Sequence, residues 1–390
     1  MSSPLDTVLE QELAAIAGRN RRRSCPEISG PSRSYPCVEG QPVVSFSSND
    51  YLGLCSHPAV VDAAAQAARR GGVGAGASRL VSGDHPEHRT LEASLSAHLG
   101  TEAALVFPSG YQANLGLIGA LAGPDDLILS DSLNHASLID GCRLSRARVV
   151  VYRHADPKAA ATCLQTARDE HTRLPRRIFL VTESVFSMDG DLAPLPELNA
   201  LCQAEGVHLL VDEAHALGVL GPGGRGVAAA QGITPAALVG TLGKAFGASG
   251  GFVAGSRTLR QLLVNRARTF IFATGLPPIL AAAARAALDV ITSSEGDTLR
   301  QALHARIAQL QTLLDRQVPA TPILPLILGS EGAALTASSQ LRARGLFVQA
   351  IRPPTVPEGT SRLRITLSAA HRPEDIDALG IALRAEALLS

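Results

Sequence analysis

The sequence has no tryptophan and only two methionines, and aromatic residues make up 3% of it. An interior of any size must therefore be packed from Ala, Val, Leu and Ile, within an apolar share of 46%. Lysine is almost missing as well. Only Lys158 and Lys244 occur, and every other member of the 35 basic residues is Arg. No charge is in excess: 35 acidic residues balance the basic ones, which removes the electrostatic case for nucleic acid or a membrane surface. No apolar run approaches the roughly 18 residues that span a bilayer. The first twenty residues carry Asp6, Glu10 and Glu12 and no signal-like apolar stretch, so the expected location is cytoplasmic. The six cysteines, at 25, 37, 55, 142, 163 and 202, form no CxxC pair and read as idle or buried thiols in a reducing compartment, with no metal expected.

What is present is a chain of 390 residues, long enough for two or three domains around a large core. Residues 5–18 read as an amphipathic helix followed by the cluster Arg19 to Arg23, then a proline-rich stretch leading to a strand at Val43–Ser47. Beyond residue 58, helical segments (58–70, 86–99, 111–122) alternate with short apolar strands. The strand-like runs are Ala104–Phe107, Asp126–Ser130, Val149–Tyr152, Ile178–Thr182, His208–Asp212, Leu238–Thr241 and Gly251–Ala254. That alternation predicts an α/β domain with a mostly parallel sheet flanked by helices. After about residue 287 the pattern changes to a long helix (296–316), strands at 323–328, 346–350 and 362–367, and a final helix from 373, a smaller α+β domain. The expected division is an N-terminal arm at 1–50, a large domain at 51–287 and a small domain at 288–390.

In open α/β sheets, ligands collect at the carboxyl ends of strands. Asp212 and His215, Thr241 and Lys244, Glu183 and Ser187, Ser109 to Tyr111, and Asn134 with His135 all follow such strands. Together they suit pyridoxal 5′-phosphate (PLP). A lysine amine forms a Schiff base with the cofactor; Lys244, after a buried run, suits this, whereas Lys158 at a polar helix start reads as solvated surface. A carboxylate, Asp212, would keep the pyridine nitrogen protonated, and His215 would reach the ring oxygen. Ser109-Gly110-Tyr111 opens a helix whose N–H groups suit a phosphate, with Thr241 adding a hydroxyl. His135 would cover one face of the ring. Taken singly, each strand-end Asp or His is more often a cap than a catalyst. Gly72-Val-Gly-Ala-Gly76 follows a helix, not a strand, and so fails as a dinucleotide fingerprint. Asp212-Glu-Ala-His215 lacks the phosphate loop that a helicase box requires. His208, flanked by apolar residues, reads as a core histidine and not as a metal ligand.

These stretches in this order resemble the α-oxoamine synthases, a family of fold-type I PLP-dependent transferases. The resemblance covers nearly the whole chain. It is carried by Phe46-Ser-Ser-Asn-Asp-Tyr-Leu-Gly53, Gly74-Ala-Gly-Ala-Ser-Arg79, Asn134-His-Ala-Ser137, Thr182-Glu-Ser-Val-Phe-Ser-Met-Asp-Gly-Asp191, Val211-Asp-Glu-Ala-His215 and Thr241-Leu-Gly-Lys244. Members join an amino acid to an acyl thioester. The stretch Ile351-Arg-Pro-Pro-Thr-Val-Pro-Glu-Gly-Thr-Ser-Arg-Leu-Arg-Ile-Thr-Leu367 is most similar to the biotin-synthesis branch, which condenses L-alanine with pimeloyl-CoA or a pimeloyl-acyl carrier protein. The resemblance implies PLP on Lys244, Asp212 at the pyridine nitrogen, His215 and Ser187 near the ring oxygen, and His135 stacked on the ring. It implies phosphate contacts from Gly110, Tyr111 and Thr241, with Thr274 serving a partner subunit of a homodimer. Substrate contacts fall on Arg364, Thr355, Asn49 and either Arg21 or Arg22. The alternatives are relatives that use glycine or serine, an aminotransferase, and a non-catalytic binding module of the same fold. The intact set of Lys244, Asp212, His215 and His135 weighs against the last.

Overall fold

The computed structural model describes residues 3–170, 174–315, 320–386 and 388. It divides into two compact units, one formed by 49–187 with 191–302 and the other by 1–48, 188–190 and 303–390. The helix Ser294–Leu314 carries the chain from one to the other.

The larger unit is built on seven strands: β1 (Ala103–Phe107), β2 (Leu127–Asp131), β3 (Arg148–Tyr152), β4 (Ile178–Glu183), β5 (His208–Asp212), β6 (Ala237–Thr241) and β7 (Gly251–Gly255). Their order across the sheet is β1-β7-β6-β5-β4-β2-β3. All pairings are parallel except those of β7, which runs antiparallel to both neighbours. The α/β class and mostly parallel sheet expected from the alternation are therefore present. Strands β2 and β4 are buried along their whole length, and each opens on consecutive apolar residues before ending in two polar ones, Ser130-Asp131 and Thr182-Glu183. Edge strand β3 is half exposed.

Helix α1 (Gly110–Leu121) packs Leu117 and Ile118 into a core with Leu105, Phe107, Ile128, Val181, Val239 and Val253. Each such side chain contributes about 1.5–3 kcal/mol on leaving water. Ser109 caps α1, its hydroxyl accepting from the Gln112 N–H at 3.1 Å. The helix stops at Ala122, two residues before Pro124, which cannot continue it. Helix α2 (Ala136–Ser145) starts from His135, whose ring nitrogen accepts from the Ser137 N–H. The run Gly72–Gly76 does follow a helix, Pro58–Gly71, as expected. His208 corrects the sequence reading: it is exposed at the first position of β5, because strand starts lie at the rim of the sheet, and it leans on Phe179 at 5.5 Å.

In the smaller unit, Ile323–Gly329, Ser361–Thr366 and Ala350–Ile351 form an antiparallel sheet with Ser361–Thr366 in the middle. The expected strand 346–350 is instead two short pieces. Leu346–Phe347 pairs in parallel with Val44–Ser45, and Ala350–Ile351 joins the antiparallel sheet. The chain changes sheets between them, and that change draws residues 44–45 into the same unit as the C-terminal residues. Helices Pro4–Gly18, Glu331–Ala343 and Pro373–Ala385 complete the unit. The long helix ends at Leu314; residue 316 of the expected span lies outside the described residues. No described helix is long and apolar enough to cross a membrane.

Candidate active site

Five strand ends of the larger unit meet at one cavity of about 170 Å³. Its lining includes Gly110, Tyr111, Asn114, His135, Ser137, Glu183, Asp212, His215, Thr241 and Lys244. The sequence-predicted Lys244, Asp212, His215, His135, Thr241, Gly110 and Tyr111 are therefore brought together, while Lys158 is exposed on a separate helix.

Anion-binding chemistry is concentrated at the start of α1. The Ser109 hydroxyl takes the Gln112 N–H and its carbonyl takes that of Ala113, so the Gly110 and Tyr111 N–H groups precede the first helical hydrogen bond. A Cβ at Gly110 would already be in contact with Thr241 Oγ1 at 3.4 Å, which keeps backbone and hydroxyl on one small space. Thr241 Oγ1 donates to the Gly250 carbonyl at 3.1 Å and accepts from the Gly243 N–H at 3.3 Å. On the adjacent strand, a Cβ at Gly251 would fall 2.5 Å from Gly110 N and Cα, so only glycine lets β7 lie against this turn.

Elsewhere in the cavity the groups are acidic and aromatic. Asp212 has both oxygens held: Oδ1 by the Ala214 N–H at 2.8 Å and Oδ2 by Asn114 Nδ2 at 2.7 Å. His135 stands edge-on to Tyr111 at 6.2 Å, and the Tyr111 hydroxyl donates to Asp140. Burial pushes the His135 imidazole toward its neutral form, the Asp212 charge opposing this and Lys244 reinforcing it. Fully buried Glu183 accepts from the His135 N–H at 2.6 Å. Burial first, and then the Asp212 charge, hold its carboxyl well above the usual range, at about 8, against the pull of Lys244. His215 Nδ1 lies 2.6 Å from the Tyr51 hydroxyl, which donates to Asn49 Oδ1 at 3.1 Å.

Other expected residues lie elsewhere. Ser187 is half-buried in a hairpin closed by the Val185–Leu192 bridge and does not line this cavity. Exposed Thr274 is absent from the lining too. In the smaller unit, Arg364 is buried on the central strand. Arg21 is occupied by Glu331 and Glu358, at 2.7 and 3.0 Å. Arg22 offers its carbonyl to Arg352. The arginine that reaches Thr355 is Arg23, which donates to its hydroxyl at 3.5 Å and to the Pro353 carbonyl at 3.0 Å.

Two polar lining residues, Asn114 and Ser137, carry no mark of their own in the sequence reading, and Glu183 stands there only among the strand-end residues, without a role. A lone buried Asn inside the apolar helix Gly110–Leu121 was the available signal for the first. No cluster of metal-ligating side chains occurs among the described residues.

A lysine, a carboxylate and two imidazoles thus meet beside a helix N-terminus at the strand ends of one sheet. The chain belongs to the aminotransferase class I and II family, whose model matches residues 41–383. Within it, the sequence is 52% identical to 8-amino-7-oxononanoate synthase of Anaeromyxobacter dehalogenans over 96% of this chain and 94% of that protein. It is 48% identical to 8-amino-7-oxononanoate synthase of Burkholderia thailandensis over 96% of each. Among solved structures, serine palmitoyltransferase of Sphingomonas wittichii superposes with a TM-score of 0.89 at 31% identity, covering 100% of this chain and 99% of that one. The 8-amino-7-oxononanoate synthase of Francisella tularensis gives 0.73 at 28% identity, covering 88% and 98%. A structure of SPT with PLP gives 0.87 at 30% identity, covering 99% and 100%.

Proposed function

We propose that this chain catalyses the PLP-dependent, decarboxylating condensation of L-alanine with a pimeloyl thioester, yielding 8-amino-7-oxononanoate, carbon dioxide and the free thiol for biotin synthesis. The observation that carries the reading is the gathering of Lys244, Asp212, His135 and His215 in one cavity with a helix N-terminus at Gly110.

The cavity fits the cofactor on its own donor set. The N–H groups at the start of α1 and the Thr241 hydroxyl match a phosphate. Asp212, fixed at both oxygens, matches a protonated ring nitrogen, and His215 a ring hydroxyl. Lys244 supplies the amine. When bound, PLP supplies an electron sink for bond breaking at the substrate Cα. The protein does the rest. Lys244 Nζ moves the Cα proton of alanine. Asp212 holds the proton on the ring nitrogen by its charge, and neutral His135 covers the cavity without adding a competing cation. Asn49 orients His215 through Tyr51, and the family resemblance assigns the substrate carboxylate to Arg364 and a further substrate contact to Thr355.

A homodimer is part of the same reading. Exposed Val73, Val81 and Phe272 support it, on segments linked by the Gly275 N–H to the Ala77 carbonyl. The acyl carrier is coenzyme A or an acyl carrier protein.

Thiol release from pimeloyl-CoA and from a pimeloyl-acyl carrier protein, with alanine, glycine or serine, tests the reading. The expected result is turnover with alanine, and its loss in Lys244→Ala together with the visible absorbance of lysine-bound PLP. A Lys244→Ala protein that kept both, or a preference for glycine or serine, would overturn it.

A further inference from the structure

Asp212 and His135 are joined by a residue to which the chemistry above gives no part. Asn114 lies inside α1 and is 1% exposed. Its neighbour Asp212 only accepts when ionised, so the group facing it is the Asn114 amide NH₂. One of those hydrogens goes to Asp212 Oδ2 at 2.7 Å and the other to Ser137 Oγ at 2.9 Å. Having accepted from Asn114, the Ser137 hydroxyl turns its own hydrogen on His135 Nδ1, 2.8 Å away. The same Nδ1 also accepts from the Ser137 backbone N–H at 3.2 Å. A nitrogen that accepts twice carries no proton, so the proton of the neutral ring sits on Nε2.

Locally this arrangement is costly. Asn is a poor residue for a helix interior. Its Oδ1 is buried with no hydrogen-bond partner among the described residues, which also disfavours it. Two other side chains of similar size fail for separate reasons. Leucine would remove both donors, and aspartate would set a second carboxylate against Asp212.

We propose that Asn114 is a positioning residue that locks the Asp212 carboxylate in plane and, through Ser137, fixes the tautomer and orientation of His135. The proposal rests on the PLP reading above. It makes one amide group the common support of both residues flanking the cofactor.

Asn114→Leu and Ser137→Ala, saturated with PLP, test it by kcat and KM for alanine, by the absorption spectrum of bound PLP, and by melting temperature. In parallel, ¹⁵N shifts of His135 are read from histidine-labelled protein without cofactor. Asn114→Leu is expected to lower kcat about 10–100-fold, the range seen when outer partners of a site are removed, with KM for alanine within about 3-fold. It should also alter the PLP spectrum and erase the bare-Nδ1 signature of His135. Ser137→Ala should change the His135 shifts while leaving the spectrum of bound PLP as in wild type. Wild-type kcat, spectrum and His135 shifts in a folded Asn114→Leu protein would overturn the proposal. If that variant does not fold, unchanged His135 shifts in Ser137→Ala overturn it. Failure of the wild-type enzyme to bind PLP or to release thiol would instead overturn the functional reading, and the cofactor-free His135 measurement separates the two.

Discussion

Replacing His154 by leucine should cost stability, and the cost should fade as pH rises. The ring bridges two carboxylates, with Nδ1 2.8 Å from Asp131 Oδ1 and Nε2 2.8 Å from Asp191 Oδ2, and stands edge-on to Phe186 at 4.3 Å. Burial alone would lower its pKa, but the hydrogen bonds and charges of Asp131 and Asp191 outweigh that and raise it to about 10. From a reference near 6.5, this rise corresponds to about 4–5 kcal/mol at about 1.4 kcal/mol for each tenfold in proton affinity. His154 is 24% exposed and Asp191 31%, and water screening at those groups reduces the figure to about 3 kcal/mol. A folded-state pKa above the unfolded one gives stability that is full below about 6.5 and is lost as pH rises through about 10. In His154→Leu, Asp131 and Asp191 lose their shared cation. Urea unfolding of both proteins from pH 4.5 to 10.5 should therefore show a deficit of about 3 kcal/mol up to near pH 7 that shrinks as pH rises toward about 10. A deficit that is constant across that range, or absent at pH 7, would refute the reasoning. Asp131 also accepts the Leu133 N–H at 2.9 Å, two residues before His135, so the variant should bind PLP more weakly as well.

Asp212→Asn should retain PLP but lose about 10²–10³-fold in kcat, because its charge stabilises the proton on the ring nitrogen. Both Asp212 oxygens accept hydrogen bonds, so an amide there must set a donor against either the Ala214 N–H or Asn114 Nδ2. A melting temperature several degrees below wild type, from about 1–3 kcal/mol, follows; wild-type kcat and melting would contradict it. Gly251→Ala places a Cβ 2.5 Å from the Gly110 backbone and should weaken PLP binding about 10–100-fold through displacement of the start of α1. A fluorescence titration that gives the wild-type affinity would exclude that link.

How much of this was legible in the sequence depended on the range of the interactions. Lys244 stood out because the chain has one other lysine, and the short apolar runs located the strand ends where Asp212, His215 and Thr241 emerge. Local periodicity does not report which residues meet after folding. Asn114 finds Asp212 98 positions away, and His154 finds Asp191 at a separation of 37. In the sequence the first reads as one polar residue in a helix and the second as part of a turn. Periodicity also misses a change of sheet: residues 346–350 look like one strand, yet their two ends pair with different partners. His208 looked internal because its neighbours are apolar, but its place at the rim of the sheet is set by strand register, not composition.

The positions of the two lysines have a practical consequence. Lys158 projects from the surface of its helix, whereas Lys244 is half-buried in the cavity. Amine-directed reagents therefore meet one readily accessible lysine side chain and one sheltered one, so that coupling to a support or dye through Lys158 leaves the reactive amine spared. Mass spectrometry after borohydride reduction would then need to distinguish only two side chains, with Lys158 as the internal control for where the cofactor became fixed.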